Sequence, residues 1–356
     1  MLSTSINESI VIKGVGAVSP GGWSAKALVS QALDETAVPH EVLSREGSNH
    51  PTNVRRVPKP EERQQFARHP RLRRASAISR FVVSAGLEAL GPDRAEAVRN
   101  DELNLGIIVV FSTGCVTYTG RFFKEVLDDP TLASPIIFPE TVFNAPASHL
   151  AAILGCTGIN YTLLGDGAEF LSGLRLASDW LATRQCDGCL VIGAEEIDWL
   201  ISEAVQLFTP DAILAEGAGA IYLERDEEGT SMAPHLSRIT SPVLYTNDVN
   251  RNLAAIKMRE QLKLDHTDES QSVLLDGLQN INKLDAAETA AWKDWNGQRL
   301  SIRTSLGDAL GASVAWQAVT AASLLELNHN QCQSALVSAV GLNQQSIAAE
   351  FTQSSS

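Results

Sequence analysis

The sequence predicts a layered α/β protein in which one βα plan is used twice. Three observations predict it. Strand-like and helix-like stretches alternate along the chain with short connections. The runs Leu105 to Phe111 and Asp187 to Ala194 have the nearly unbroken apolar character of strands covered on both faces. The same alternation resumes after a polar, glycine-containing segment from Arg225 to Met232, which divides the chain into halves 1–228 and 229–356 that are expected to form one unit.

In the first half, Ser9 to Val18 is a β-branched run that stops at the turn sequence Ser19-Pro20-Gly21-Gly22. From Arg73 to Leu90 apolar side chains recur at helical spacing until Gly91-Pro92 ends the helix. After the strand at Leu105, the pattern predicts a helix over Asn144 to Leu154 and a short strand over Asn160 to Leu164. A long helix of small and apolar residues follows from Gly167 to Ala182. The strand from Asp187 is followed by another over Ala218 to Leu223, behind Glu216-Gly217-Ala218-Gly219. The second half reads as a strand near Ser237 to Leu244, a helix from Val249 to Leu262 and a strand at Ser272 to Leu275. It ends with a helix from Ala309 to Leu327, a strand from Ala335 to Val340, and a Ser-rich tail after Thr352 that is expected to fray.

The 356 residues carry 42 acidic and 28 basic side chains, a net charge of −14, with 44% hydrophobic and 20% charged residues. This composition belongs to a folded globular chain and excludes a disordered one. No apolar run approaches the ~20 residues of a membrane span, and Met1 to Glu8 lacks the regions of a signal peptide, so a cytoplasmic protein is expected. Five scattered cysteines, an odd number, read as reduced thiols. Between Arg55 and Arg80, nine Lys/Arg face only Glu61 and Glu62, which predicts one basic stripe. On an acidic chain such a stripe suits an acidic protein partner better than nucleic acid.

Three motifs are set aside on physical grounds. Gly14-Val15-Gly16-Ala17-Val18-Ser19-Pro20-Gly21 has the look of a phosphate loop, but Pro20 and Gly21-Gly22 make a turn where a dinucleotide site needs a helix start. Cys186-Asp187-Gly188-Cys189 has no second ligand pair for zinc, so no metal is expected. Cys115 follows a strand in a small-residue loop; its partner base cannot be named from the sequence, His149 in the same half could approach it only by tertiary folding, and a structural thiol is the simpler reading.

Five stretches occur in order over residues 10 to 224. They are Ile12-Lys13-Gly14-Val15-Gly16-Ala17-Val18-Ser19-Pro20-Gly21, Arg73-Arg74-Ala75-Ser76-Ala77-Ile78-Ser79-Arg80-Phe81, Gly158-Ile159-Asn160-Tyr161-Thr162-Leu163, Gly193-Ala194-Glu195-Glu196 and Glu216-Gly217-Ala218-Gly219-Ala220-Ile221-Tyr222-Leu223-Glu224. Together they resemble the β-ketoacyl-acyl carrier protein synthases. Thr304-Ser305-Leu306-Gly307-Asp308-Ala309-Leu310-Gly311-Ala312, Asp285-Ala286-Ala287-Glu288 and Ser338-Ala339-Val340-Gly341-Leu342-Asn343 extend the resemblance more weakly. It implies the thiolase fold, five layers αβαβα made of two pseudo-repeated halves. It also implies a dimer formed near Asn144 to Leu154 and Asn160 to Leu164.

In that family the nucleophile is a cysteine at the N-terminus of the buried central helix, where the helix dipole favours its thiolate. Two histidines assist decarboxylation and hold the thioester oxygen. Carried over position by position, these places fall on Gly167, Gly277 and Asp308. No cysteine lies between Cys156 and Cys186 and no histidine between His266 and His329, so no shift of alignment restores the triad. The family's lysine corresponds to Arg303, and its phenylalanine-rich gate to Val340 and Leu342. Asp166 and Glu169 complete the pocket candidates. They are either a cap and a first-turn carboxylate, or anions that would repel a thioester enolate. The connection from Pro210-Asp211 to Glu216 is tight where active synthases carry a longer loop.

The resemblance implies a catalytically empty member similar to chain-length-factor, or KSβ, subunits. Such a subunit needs no cofactor. It pairs with an active ketosynthase in polyketide, aryl polyene or specialised fatty-acid synthesis. Arg55, Arg56, Arg63, Arg68, Arg71, Arg73 and Arg74 would then meet an acidic acyl carrier protein. Two alternatives stay open: a homodimer that binds an acyl group or thioester without reacting, and an enzyme that uses Asp166, Glu169 and Asp308 as general bases.

Overall fold

In the computed structural model, which describes residues 10–45, 47, 50–60, 69–264 and 268–353, the first half contributes eight strands. These are β1 (Ile10–Val18), β2 (Glu41–Leu43), β3 (Thr52–Arg55), β4 (Leu105–Phe111), β5 (Asn160–Leu164), β6 (Gly188–Glu195), β7 (Leu214–Ala215) and β8 (Gly217–Arg225). Its helices are α1 (Ala25–Asp34), α2 (Ala77–Leu90), α3 (Pro92–Arg99), α4 (Val116–Asp128), α5 (Ala145–Leu154), α6 (Glu169–Ala182) and α7 (Trp199–Phe208). The second half adds strands β9 (His235–Ile239), β10 (Val243–Leu244), β11 (Ser272–Leu275), β12 (Gln298–Leu300), β13 (Ser334–Val340) and β14 (Gln345–Thr352). Its helices are α8 (Asp248–Leu262), α9 (Asn282–Ala291), α10 (Ile302–Leu306) and α11 (Ser313–Glu326). The tail expected to fray lies, for residues 354–356, outside the described residues.

The main sheet runs β12-β11-β13-β14-β9-β1-β8-β6-β4-β5, with β10 added beside β14. Outward from the junction of β9 and β1, each half repeats one pattern. β1-β8-β6-β4-β5 has two antiparallel pairings and then two parallel ones, and so does β9-β14-β13-β11-β12. The halves are joined at that junction by one residue pair, Val11 opposite His235. Both β4 and β6 are buried at every position, as parallel strands covered on both faces must be.

α6 and α11 fill the space between the two half-sheets: α11 packs on β8 and β13, and α6 on β6, β4 and β14. α2 and α5 cover the outer face of the first half, and α8 packs on β14 with α9 beside it on the second. The five-layered arrangement expected from the sequence is therefore present. Close approach requires glycine here. The backbone carbonyls of Ala89 and Ala85 in α2 occupy the space that side chains on Gly14 and Gly16 would need. The glycine run of β1 is thus a surface for helix packing. Trp316 of α11 donates Nε1–H to the carbonyls of Val18 (3.1 Å) and Ala218 (3.0 Å), fastening the inner helix to β1 and β8.

Three predicted elements divide. Residues 73–90 split into a 3-10 turn at Pro70–Arg74 and α2, because Ser76 caps the helix by accepting from the Ser79 amide. The segment from Ala309 begins as a 3-10 turn, Leu310–Ala312, before α11. The strand near Ser237 to Leu244 breaks into β9 and β10 around Pro242, which has no amide to donate.

Candidate functional site

The N-terminal turn of α6, the 3-10 turn before α11, the end of β11 and the hairpin between β13 and β14 come together at one end of the inner helices. A Cβ built on Gly167 would lie 2.8 Å from the Leu310 carbonyl oxygen and 3.8 Å from Nη2 of Arg303. A Cβ on Gly277 would lie 2.8 Å from Oε2 of Glu288 and 3.6 Å from Nη1 of Arg303. Oδ1 of Asp308 is 3.7 Å from the same Nη1. The three positions singled out in the sequence are therefore neighbours, and the guanidinium of Arg303 stands among them.

The surrounding electrostatics are those of a closed ionic cluster. Asp308 accepts from the Leu310 amide (3.0 Å), Ser313 Oγ (2.9 Å) and Gln279 Nε2 (3.1 Å). Glu288 accepts from the Gly277 amide at 3.0 Å, and burial together with the charge of Asp276 pushes its carboxyl up to about 7. Asp276 is held by Arg299 at 2.9 Å and by Ser301 Oγ at 2.6 Å. Arg303 Nε and Glu288 Oε1 are buried and have no hydrogen-bond partner among the described residues. Leu310 itself adopts φ 44°, a left-handed conformation that a branched side chain rarely takes.

In front of Gly167 is a cleft of about 360 Å³, bounded by Ser112, Leu164, Asp166, Leu310, Leu342 and Gln344 among others. Its floor is braced by a residue that the sequence reading quoted without giving it a role. Glu195, fully buried at the end of β6, accepts from the amides of Ser112 (2.9 Å), Thr113 (3.0 Å), Gly114 (3.1 Å) and Gly311 (3.3 Å) and from the Thr113 hydroxyl. Burial pushes its carboxyl up to about 7 against these donors.

No family profile and no curated protein matches the chain in sequence. Solved structures do match. The ishigamide ketosynthase/chain length factor superposes with a TM-score of 0.77 at 18% identity, over 98% of this chain and 100% of that one. A type II polyketide synthase acyl carrier protein in complex with its ketosynthase, bound to a hexaketide, gives 0.78 at 17% identity, over 97% and 99%. A β-ketoacyl synthase from Burkholderia phymatum gives 0.73 at 16%, over 97% and 99%.

The fold is that of the ketosynthases. At these identities the likeness is one of architecture, and within the ketosynthase fold the remaining sequence candidates separate clearly. Leu342 is exposed at the cleft, but Val340 is a correction: it points the other way from β13, into the outer cluster with Leu274, Trp292 and Ala348. Arg303 is 8% exposed and lies behind the cleft wall. Asp166 and Glu169 flank the start of α6, and burial pushes both carboxyls upward.

Two of the arginines expected at a docking surface are also corrected. Arg55 is buried, with Nε on the Val38 carbonyl (2.8 Å) and Nη1 on that of Thr304 (3.2 Å). Arg56 forms a 2.7 Å ion pair with Glu216 and reaches the Ile197 carbonyl. Arg55 serves buried carbonyls that need donors, and Arg56, partly exposed, is engaged by the Glu216 carboxylate. Arg63 and Arg68 lie outside the described residues, whereas Arg71, Arg73 and Arg74 are exposed.

Burial and the nearby charges of Glu196, Glu140 and Glu195 push the Cys115 thiol far up, and His149 pairs with Glu140 at 2.7 Å, so the base considered for it is already engaged. Cys186 and Cys189 are both buried, and among the described residues no cluster of three or more ligating side chains could hold a metal.

β5 ends the sheet and pairs with β4 alone. The parallel ladder from Ile107 N–H on the Ile159 carbonyl to Gly165 N–H on that of Phe111 leaves the amides of Asn160, Thr162 and Leu164 pointing away from the sheet. Tyr161 and Leu164 are exposed on this strand, as are Phe123 and Leu127 on α4, a helix that buries none of its residues. No helix among the described residues is long and apolar enough to cross a membrane.

Proposed function

We propose that this chain is a non-condensing subunit of the chain-length-factor type, which pairs with an active β-ketoacyl synthase in polyketide, aryl polyene or specialised fatty-acid biosynthesis. The observation that carries the reading is that Gly167, Gly277 and Asp308 are neighbours around Arg303 and that none of the three bears a thiol or an imidazole. A thiolate and an imidazole pair need that space and the proton traffic through it. Arg303 supplies a cation, as the corresponding lysine of the family does, but neither a nucleophile nor a proton it can exchange near neutrality. Reuse of Asp308 and Asp166 as general bases is disfavoured because their oxygens are spent on protein donors.

The partner would add to β5, where three amides and an apolar surface are open, since an unpaired edge is a template for a further strand. Arg71, Arg73 and Arg74 offer charge complementarity to an acidic acyl carrier protein. The two halves, 1–228 and 229–356, would act as one unit in a cytoplasmic dimer. The test is co-expression with the ketosynthase encoded beside this chain, followed by the native mass of the purified complex. A one-to-one heterodimer is expected. A homodimer that ignores the synthase overturns the reading in favour of the second one, a non-reacting acyl or thioester binder, which the cleft in front of Gly167 would serve.

A further inference from the structure

Cys186 and Cys189, a motif of the sequence that the site leaves unused, stand where the chain leaves α6 and enters β6. Cys186 lies in the connection, and Cys189 is the second residue of β6, opposite Gly106 of β4. A Cβ built on Gly106 would lie 3.1 Å from Cys186 Sγ and 3.3 Å from Cys189 Sγ. Both sulfurs therefore converge on one point, where β4 carries no side chain. On a straight strand, residues three apart would point to opposite faces; the chain bends at Asp187 and brings them to the same one. The surroundings also distinguish the two sulfurs. Hydrogen bonding from the Cys189 thiol, helped by the Gly106 amide and the charge of Arg225, holds the Cys186 thiol below its ordinary value against its own burial. Burial, and then the neighbouring sulfur, push Cys189 far up. One sulfur is thus disposed to be a thiolate and the other to keep its proton, the asymmetry that lets a dithiol react in a fixed order.

Both thiols are buried, yet their cover is thin. Arg184, Gln185 and Asp187 are exposed, Arg184 holds a left-handed φ of 56°, and Asp187 lines a cleft of about 470 Å³ with Lys13, Leu103 and Arg225. Polar contacts to Asn104 fasten this turn. The Asp187 amide donates to the Asn104 carbonyl (2.9 Å), the Asn104 amide to Asp187 Oδ2 (3.0 Å) and Asn104 Nδ2 to the Gln185 carbonyl (3.1 Å). A surface turn held in this way opens at lower cost than the core beneath it. We propose that Cys186 and Cys189 are a dithiol that hydrogen peroxide converts to a disulfide within the chain when the turn over it opens. The Cys186 thiolate attacks one peroxide oxygen, the O–O bond breaks, hydroxide leaves and takes up a proton as water, and Cys186 becomes a sulfenic acid. The Cys189 sulfur then attacks the Cys186 sulfur as its proton passes to the departing hydroxide. The S–O bond breaks, the S–S bond forms and a second water leaves. The two thiols are oxidised by two electrons, and the peroxide is reduced to two waters. The bridge lies beyond the C-terminal end of α6, whereas Gly167 precedes its N-terminal end, so the proposal stands apart from the partner-subunit reading.

The test is treatment of the folded full-length protein with dilute hydrogen peroxide, followed by quenching, unfolding in iodoacetamide and mass analysis of tryptic peptides. Residues 185–225 form one tryptic peptide, which contains Cys186 and Cys189 and no other cysteine. After peroxide this peptide should carry no label and be lighter by two hydrogens than its reduced form. Dithiothreitol should restore both labels, and Cys115 and Cys332 should stay labelled throughout. In Cys189→Ser, dimedone should trap a sulfenic acid on Cys186, whereas in Cys186→Ser the remaining Cys189 should stay a thiol. If either variant fails to fold, the wild-type peptide decides the matter alone. Two labels on that peptide after treatment, a bridge that forms only once urea has unfolded the chain, or equal loss of label at Cys115 and Cys332 overturns the proposal. So does a sulfenic acid trapped on Cys189 as readily as on Cys186.

Discussion

Replacing Gly167 by alanine separates two physical accounts by the sign of its effect. Gly167 is not among the residues with positive φ, so alanine is conformationally permitted. On backbone entropy alone it should stabilise the fold by about 0.4–1 kcal/mol. The added Cβ, however, would meet the Leu310 carbonyl oxygen at 2.8 Å, a backbone atom of a buried 3-10 turn that cannot rotate away. Overpacking of this kind costs about 1–3 kcal/mol, which exceeds the entropic gain. Gly167→Ala is therefore expected to lower the unfolding free energy, read from urea titrations followed by tryptophan fluorescence. Gly167→Cys should do the same and gain no condensing activity, because the neighbouring groups are Arg303, Asp308 and Glu288 rather than imidazoles. An alanine variant more stable than wild type would refute the reasoning, since it would mean that Leu310 does not close over this position. A cysteine variant that turns over an acyl thioester would refute the non-condensing reading as well.

Arg303→Met should cost about 3–5 kcal/mol by leaving buried Asp308 without its cation. In a double-mutant cycle with Asp308→Asn the combined loss should fall well short of the separate losses added together; strict additivity would mean that the pair is not coupled. Glu288, whose carboxyl sits at about 7 against 4.5 ordinarily, prefers its protonated form in the folded chain. Its contribution is complete below pH 4.5 and disappears as pH rises through 7, so the stability advantage of wild type over Glu288→Gln should shrink by roughly 3 kcal/mol between pH 4.5 and 8. Denaturant titrations at the two pH values check this, and a gap that is constant or widens contradicts it. Thr162→Pro removes an outward amide from β5 without touching the β4 ladder. Sedimentation should show the proposed dimer failing to form while thermal stability of the subunit barely moves, and a dimer that forms as in wild type would place the interface elsewhere.

The parts of the fold that were legible in the sequence are those where burial imposes a pattern. The unbroken runs of β4 and β6 could be read directly because strands covered on both faces leave no polar positions, and α6 because its buried apolar residues recur at helical spacing. The meeting of Gly167, Gly277 and Asp308 was legible only through resemblance, since they lie far apart in the chain. The helices α4 and α7 went unpredicted because their apolar residues, among them Phe123, Leu127, Leu207 and Phe208, face outward, so periodicity carries no message about the interior. The last strand, β14, was hidden by Gln345, Ser346 and Glu350, polar residues that are buried because partners such as Glu169 and Ser334 await them. Charge misled at Arg55 and Arg56, whose side chains serve backbone carbonyls and Glu216 contributed by distant segments. Asp166 reads as a helix cap for the same reason, and only the returning hairpin, whose Gln344 amide it also accepts, shows what else it holds.

The single residue pair between β1 and β9 has a consequence for modularity. Since the half-sheets scarcely touch edge to edge, what unites them is α11, buried at every position from Ser313 to Leu325 and packed on β8 from one half and β13 from the other. Such a helix has no face it could turn to water. The repeat is therefore visible in the strand order without being separable in the molecule. A chain cut at the midpoint should yield two aggregation-prone fragments that become soluble only when made together, each acting as the other's missing core.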